Sequence, residues 1–275
     1  MPIDYCSVDV FELGELGAML NRCFDGYILP VHFDRQIIAK LVRVDGVDLA
    51  ASVAARHGGE TIGVALVARR GWTSRLAAMA IAPNVRGQRT GTRLTDFVIR
   101  SARERGDRSF VLEVVEQNAP ALRLYQAAGF TPVRRLFGYA ADSIPAGEET
   151  GLEEIDPVEA GIAAARWGAE ALPWQISPAA LTALGPPHRA WRLGPATALV
   201  SNPTAEIITL CTIVVEPGAR RQGRATRLLR ALSARFPGKK WRFPILVPDE
   251  IPEDFFTRLG FRKESLNQIQ MIRPL

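Results

Sequence analysis

The segment AMAIAPNVRGQRTG at 78–91 joins an apolar strand to an amphipathic helix through a proline and a basic turn that contains glycine. The segment IVVEPGARRQGRA at 213–225 has the same features in the same order. A Gly-Phe pair follows each segment, at 129–130 and at 260–261. The turns are 134 residues apart, counted from 86 to 220, and the pairs are 131 apart, counted from 130 to 261. Two offsets that agree this closely, each near half of the chain, indicate a duplicated domain.

The helix after each turn carries apolar residues at helical spacing, which predicts a face buried in a core. These residues are Leu94, Phe97, Val98 and Ala102 in the first half, and Leu228, Leu229, Leu232 and Phe236 in the second. Apolar runs predict strands at 62–68, 76–81, 109–115, 190–193, 196–200, 207–215 and 241–247. Because strands and helices alternate in the middle of each half, both halves are predicted to be α/β with a mixed sheet.

The stretch SIPAGEETG at 143–151 is rich in residues typical of linkers. It predicts an N-terminal domain at 1–143, a linker at 144–151 and a C-terminal domain at 152–275. Each domain is long enough to bury its own core.

The composition is that of an ordinary globular protein, with 47% hydrophobic and 23% charged residues. The net charge of +5 and the sequence pI of about 9.4 suit an anionic ligand such as a nucleotide cofactor, and are also compatible with nucleic acid. The basic segments lack interleaved aromatic residues, so nucleic-acid binding ranks last among the functions considered.

Three cysteines and three histidines lie at wide spacings and predict neither a disulfide framework nor a metal site. The N-terminus lacks a basic region followed by an apolar one, so no signal peptide is predicted. No apolar run approaches the roughly 20 residues that span a bilayer. We therefore expect a cytoplasmic protein without a membrane partner.

The turn at 86–91 has the chemistry of an anion site. Backbone N–H groups at the start of a helix attract anions, and Arg86, Arg89 and Arg93 add positive charge. A glycine turn before a helix is also common without any ligand. The usual nucleotide-binding fingerprints, Gly-Lys-Ser/Thr and G-x-G-x-x-G, are missing here.

A second signal lies at 113–130, EVVEQNAPALRLYQAAGF, where an apolar strand ends near an acid and an asparagine and a short helix carries Tyr125. The strand, turn and helix of 78–105, followed by N-x-x-A-x-x-L-Y-x-x-x-G-F at 118–130, resemble the acetyl-CoA core of the GNAT (GCN5-related) N-acetyltransferases. The first half resembles in particular the enzymes that acetylate the N-terminus of a ribosomal protein. The resemblance covers roughly 60–137 well and 189–272 less well.

The resemblance implies two tandem GNAT folds, each a mixed, mostly antiparallel twisted sheet flanked by helices. It implies acetyl-CoA as co-substrate, no metal, and a primary amine of a small molecule or a protein as acceptor. Tyr125 is the implied general acid for the leaving thiolate, and Glu113 is the implied base. The implied cofactor-binding residues are Met79, Ala80, Ile81, Ala82, Arg86, Gly87, Gln88, Arg89, Thr90, Gly91, Thr92, Asn118 and Tyr125.

Other interpretations of these residues remain open. The alternative for Tyr125 is a residue of an amphipathic helix whose ring covers the core. The alternative for Glu113 is a strand residue whose carboxylate faces solvent or pairs with an arginine. Arg89 stands where the family usually has glycine, so its side chain either crowds the pyrophosphate, if the backbone needs a positive φ, or lies outward and adds charge. The aromatic segment 24–33 either lines an acceptor pocket or staples a loop.

The second half departs from the family pattern at the chemistry. By equal distance to the Gly-Phe pair, Phe256 replaces Tyr125, Pro244 replaces Glu113 and Asp249 replaces Asn118. A phenylalanine has no proton to give, so the first half is the predicted catalytic one. The alternative function is a non-catalytic acyl-CoA-binding or interaction protein built of two such domains. The sequence names neither the amine nor the oligomeric state.

Overall fold

A computed structural model describes residues 2–275, which fold into two compact units. The first comprises the chain up to 133 together with 269–275, and the second comprises 134–268. The strands are β1 Asp4–Ser7, β2 Val47–His57, β3 Glu60–Arg70, β4 Thr73–Ile81, β5 Ser109–Val115, β6 Thr131–Ala141, β7 Leu152–Ile155, β8 Arg189–Leu193, β9 Ala196–Val200, β10 Ile207–Val215, β11 Lys240–Pro248 and β12 Arg262–Pro274.

The helices are α1 Leu13–Cys23, α2 Arg35–Lys40, α3 Thr90–Glu104, α4 Ala119–Ala127, α5 Pro157–Trp167, α6 Pro178–Leu181, α7 Arg224–Arg235 and α8 Glu253–Thr257. Short 3-10 turns lie at Val8–Val10, Pro83–Val85, Trp174–Ile176 and Pro217–Ala219, and a π turn at Leu41–Asp45.

The first unit's sheet has the order β1-β2-β3-β4-β5, and the end of β12 lies next to β5. Its pairs from β1 to β4 are antiparallel, and β4 pairs with β5 in parallel. The second unit repeats this plan with the order β7-β8-β9-β10-β11-β6, in which only the pair β10–β11 is parallel. The α/β class and the mostly antiparallel, mixed sheets are therefore confirmed.

Each unit has its own hydrophobic core, built on the predicted helix face. In α3, Leu94, Val98 and Ala102 are buried, while Phe97 is partly buried and stacks on Tyr5 with ring centroids 4.2 Å apart. In α7, Leu228, Leu229 and Leu232 are buried, and Phe236 packs at the edge of the same core. The helical spacing in the sequence thus predicted the buried faces.

The division of the chain differs from the predicted boundaries in two places. The predicted linker 144–151 lies inside the second unit, where Ile144 is buried and its carbonyl accepts a hydrogen bond from Ser233 Oγ at 2.5 Å. The last seven residues belong to the first unit, because Ile269 and Met271 are buried in its core. Amino-acid composition located a polar stretch at 144–151. It does not predict which strand the C-terminal strand pairs with, because that pairing joins residues far apart in the sequence.

Candidate active site

The turn between β4 and α3 has two residues in the left-handed region, Gly87 at φ 76° and Arg89 at φ 59°. Arg89 therefore has the backbone that the family's glycine adopts without strain, and a non-glycine residue pays about 1–2 kcal/mol for it. The helix begins at the next residue, Thr90. The turn thus presents the first N–H groups of a fifteen-residue helix, which is the arrangement that attracts anions.

Arg86 acts as a brace rather than as an outward charge. Its Nε donates to the carbonyl of Ile81 at 2.9 Å, and an Nη donates to the carbonyls of Cys23 at 3.0 Å and Asp25 at 2.6 Å. Cys23 is the last residue of α1, so the guanidinium also sits at the negative end of that helix. The side chain ties the turn to α1, a role that the sequence pattern did not reveal.

The two strands that lead to the turn and to Asn118 separate before their ends. Parallel pairing of β4 with β5 stops at Leu76 and Leu112, although the strands continue to Ile81 and Val115. A bulge lies at the same level, because Leu76 and Ala78 pair with adjacent residues of β3. A bulge re-aims the strand and changes its pairing, so the edge of β4 beyond it borders a cleft instead of β5.

This first cleft has a volume of about 730 Å³. The turn lies along one side and α4 along the other. Of the predicted cofactor-binding residues, those that line it are Met79, Ala80, Ile81, Arg86, Gly87, Arg89, Thr90, Gly91, Thr92, Asn118 and Tyr125. Ala82 and Gln88 do not line it: the N–H of Ala82 donates to Ile62, and Nε2 of Gln88 donates to the carbonyl of Asn84.

Three polar side chains that line the cleft lie near one another: Tyr125, Asn118 and Tyr27. The Oδ1 of Asn118 caps α4 by accepting from the N–H of Ala121 at 3.3 Å. The same side chain lies close enough to the hydroxyl of Tyr27 to offset part of the rise in pKa that burial causes in that phenol. Burial raises the pKa of Tyr125 well above its ordinary value, and burial also raises the pKa of Tyr27. Both phenols therefore keep their protons near neutral pH.

Glu113 lies away from these groups. It does not line the cleft, its side chain is 1% exposed, and its Oε2 accepts from Arg75 Nε at 2.7 Å. The other oxygen accepts from Gln270 Nε2 at 3.3 Å. The assignment of Glu113 as base stays a prediction, and these contacts favour the other interpretation, a carboxylate paired with an arginine. Gln270 belongs to β12, so no local motif reveals this partner.

The aromatic segment 24–33 contributes to the cleft through Phe24, Tyr27 and Ile28. Phe24 packs edge-on against Tyr27, with centroids 5.1 Å apart, and also contacts Phe33 at 5.3 Å. Contacts among its own aromatic rings therefore hold the segment together, and Tyr27 also contributes its side chain to the lining of the cleft. Its aromatic content was the only sequence signal for Tyr27, since the partner Asn118 is 91 residues away.

In the second unit, the positions that correspond to the first unit's polar groups have different surroundings. Phe256 is 2% exposed and stacks on Tyr139 with centroids 3.9 Å apart and planes at 11°. A carboxylate oxygen of Asp249 accepts from the N–H of Arg135 at 3.4 Å. Pro244 lies within β11. The acid and base that the resemblance implies for the first half thus have no chemical counterparts here.

Within residues 2–275, no group of three or more His, Cys, Asp and Glu side chains is arranged to hold a metal ion. Over the same residues, the helices are all too short or too polar to cross a bilayer.

Comparison with known proteins decides the family of the first unit. The model of the acetyltransferase (GNAT) family matches residues 18–130, which contain the basic turn, Asn118 and Tyr125. Residues 18–130 are a GNAT acetyltransferase domain. No curated protein sequence is similar enough to match the chain.

Solved structures extend the likeness of the GNAT domain to both units. A GCN5-related N-acetyltransferase from Sphaerobacter thermophilus has a TM-score of 0.68 at 15% identity, covering 99% of this chain and 95% of that one. A tandem GNAT protein from the clavulanic acid biosynthesis pathway has a TM-score of 0.69 at 15% identity, with 99% and 98% covered. At such identities the likeness concerns the fold, and it confirms two tandem GNAT folds.

The narrower resemblance to ribosomal-protein acetyltransferases stays a prediction. The ribosomal-protein-S18-alanine N-acetyltransferase from Escherichia coli reaches a TM-score of 0.42 at 19% identity, over 53% of this chain and 85% of that one.

Proposed function

We propose that the chain is an N-acetyltransferase that transfers the acetyl group of acetyl-CoA to a primary amine in the first cleft. One observation carries the proposal: a helix N-terminus with basic residues, a separated strand edge and a buried tyrosine line the same cleft of about 730 Å³. The matched GNAT family model covers all three features. Acetyl-CoA has a phosphate end, an amide-bearing arm and a thioester, in that order.

The cleft residues fit these parts of acetyl-CoA. The N–H groups at Thr90, Gly91 and Thr92, with the charge of Arg89, suit the pyrophosphate. The edge of β4 from Met79 to Ile81 suits the amides of the pantetheine arm, which would pair there as an added strand does. Asn118 and Tyr125 then lie at the thioester end.

The reaction requires two proton transfers. The amine nitrogen forms a bond to the carbonyl carbon, the C–S bond breaks, and its electron pair leaves on sulfur. We assign the proton that the sulfur takes up to Tyr125, whose buried phenol stays protonated near neutral pH. The nitrogen loses its proton to a base, for which Glu113 is the residue predicted from the family resemblance. Atoms and charge balance, with an amide and coenzyme A as products.

The proposal is tested first by binding. Gly91→Glu adds a Cβ that lies 3.4 Å from Leu124 Cδ2, another residue that lines the cleft, and it adds a negative charge where the phosphates are proposed to bind. We expect calorimetry to show acetyl-CoA affinity reduced by tenfold or more, roughly the effect of a like charge and lost space together. Gly14→Glu, on the exposed face of α1 with nothing near its Cβ, is the matched control and should bind normally.

Transfer is tested next. The full chain with acetyl-CoA is screened against amino sugars, polyamines, aminoglycosides and peptides with free N-termini, and release of coenzyme A is followed with a thiol reagent. Transfer to at least one amine, lost in Gly91→Glu and kept in Gly14→Glu, supports the proposal. Binding of acetyl-CoA without transfer to any amine favours the alternative, a non-catalytic acyl-CoA-binding protein, which the strained Arg89 and the missing acid of the second unit support.

A further inference from the structure

The second unit has a cleft of its own, of about 750 Å³, which the proposed acetyl transfer does not use. It is lined by β10 from Cys211 to Val215, by the basic turn at 219–226 and by a group of apolar side chains between β11 and α8. Three features of this cleft together point to a ligand with an anionic end, an amide-bearing arm and an apolar end.

The strands of this cleft separate as β4 and β5 do. Parallel pairing of β10 with β11 stops at Thr209 and Arg242, although the strands continue to Val215 and Pro248. Cys211 is the extra residue of a bulge, because Leu210 and Thr212 pair with adjacent residues of β9. The edge of β10 beyond the bulge therefore borders the cleft, as the edge of β4 does in the first unit.

The turns of the two units have the same backbone conformation, although glycine occupies the first left-handed position in one turn and the second in the other. Arg221 has φ 60° where Gly87 has 76°, and Gly223 has φ 70° where Arg89 has 59°. Arg220 repeats the brace of Arg86, since it donates to the carbonyls of Val215 and Trp167. Arg221 and Arg224 then add charge at the start of a twelve-residue helix, so this end of the cleft suits phosphates.

The lining that β11, α8 and the segment between them contribute to the second cleft is mostly apolar, whereas α4 and its cap contribute Tyr125 and Asn118 to the first. The apolar part of this lining is formed by Phe243, Val247, Ile251, Phe255 and Phe256. The polar pair that also lines the cleft, Arg258 and Asp254, is about 80% exposed and so lies toward solvent. An apolar chain that packs against the apolar part leaves water for hydrocarbon contacts, and no phenol stands at the position of Phe256 to protonate a leaving thiolate.

We propose that the second cleft binds an acyl-CoA thioester whose acyl chain is apolar and longer than acetyl, and that it holds this thioester without transferring the acyl group. The charged turn takes the phosphates, the edge of β10 pairs with the pantetheine amides, and the apolar part of the lining surrounds the acyl chain. The binding of the thioester is inferred from the second unit alone, whereas the absence of transfer rests on the role proposed for Tyr125 in the first unit.

The test uses the full chain with Gly91→Glu, so that binding in the first cleft is weakened, and octanoyl-CoA, acetyl-CoA and free coenzyme A as probes in calorimetry. We expect one equivalent of octanoyl-CoA to bind, roughly tenfold or more tightly than acetyl-CoA, the gain from burying two or more further methylene groups. Adding Ala225→Glu should abolish this binding. Ala234→Glu, the same change at the other end of the same helix, should leave it intact.

A second variant guards against misfolding of Ala225→Glu, whose unfolding temperature is compared with that of its parent. Arg221→Gly keeps the turn, because glycine adopts φ 60° without strain, and removes one charge. It should weaken octanoyl-CoA binding several-fold at low salt and less at high salt.

Three results would overturn the inference. They are no binding of octanoyl-CoA by the Gly91→Glu protein, binding unchanged by both Ala225→Glu and Arg221→Gly, or equal affinity for acetyl-CoA and octanoyl-CoA. Transfer of the octanoyl group to an amine by the Gly91→Glu protein would overturn the non-catalytic role. Acetyl-CoA binding to the Ala225→Glu protein alone reports on the first cleft, so failure of either site is seen separately.

Discussion

Tyr125→Phe removes one hydroxyl from the first cleft and little else. The ring is 7% exposed and packs edge-on against Phe130, with centroids 6.0 Å apart, and phenylalanine preserves both features. Over the described residues, the hydroxyl has no hydrogen-bond partner within the protein. We therefore expect the free energy of unfolding to change by less than about 1 kcal/mol. Acetyl-CoA affinity should stay near that of the unchanged chain.

The effect of Tyr125→Phe on rate should be much larger. Loss of a general acid lowers the rate by roughly 10²–10⁴-fold, which is about 2.7–5.4 kcal/mol in activation free energy. Because burial raises the pKa of this phenol, its protonated form persists through the neutral and mildly alkaline range. We therefore expect that deprotonation of Tyr125 does not lower activity at any pH below the ordinary pKa of tyrosine.

The assay is release of coenzyme A at saturating acetyl-CoA with any accepted amine, beside acetyl-CoA affinity by calorimetry. Tyr139→Phe is the matched control, since it removes a buried hydroxyl from the second unit and should keep full turnover. Full turnover by Tyr125→Phe would refute the assigned acid. If changes around Phe256 then abolished turnover in a folded protein, the second unit would be the catalytic one.

Three further predictions concern charge, strain and packing. Glu113→Gln breaks a buried ion pair with Arg75, so the free energy of unfolding should fall by about 3–5 kcal/mol in urea denaturation. If the acid limb of the pH–rate profile also disappears, Glu113 is the base; an unchanged profile assigns it to structure alone. Arg89→Gly relieves a left-handed residue and should stabilise the chain by roughly 1 kcal/mol, and a lower denaturation midpoint would contradict the strain. Phe256→Ala should cost about 3–5 kcal/mol of stability through the lost ring, while the folded protein keeps acetyl transfer; lost transfer without unfolding would contradict the division of roles.

The sequence by itself determined the duplication, the fold class and the position of the basic turn before the helix. Offsets, helical spacing and turn residues are local patterns, and local patterns decide helices, strands and turns. The sequence left the backbone at Arg89 open, and the structure places this residue in the left-handed region at φ 59°.

Tertiary structure alone decided the partners of the buried charges. Glu113 meets Arg75 and Gln270, which are 38 and 157 residues away, and Tyr27 meets Asn118 from a different element. The same holds for the unit boundary, which depends on where the last strand pairs rather than on where polar residues gather. Contacts between residues so far apart in the sequence depend on how the strands and helices pack together. Neither the spacing of residues nor the composition predicts that packing.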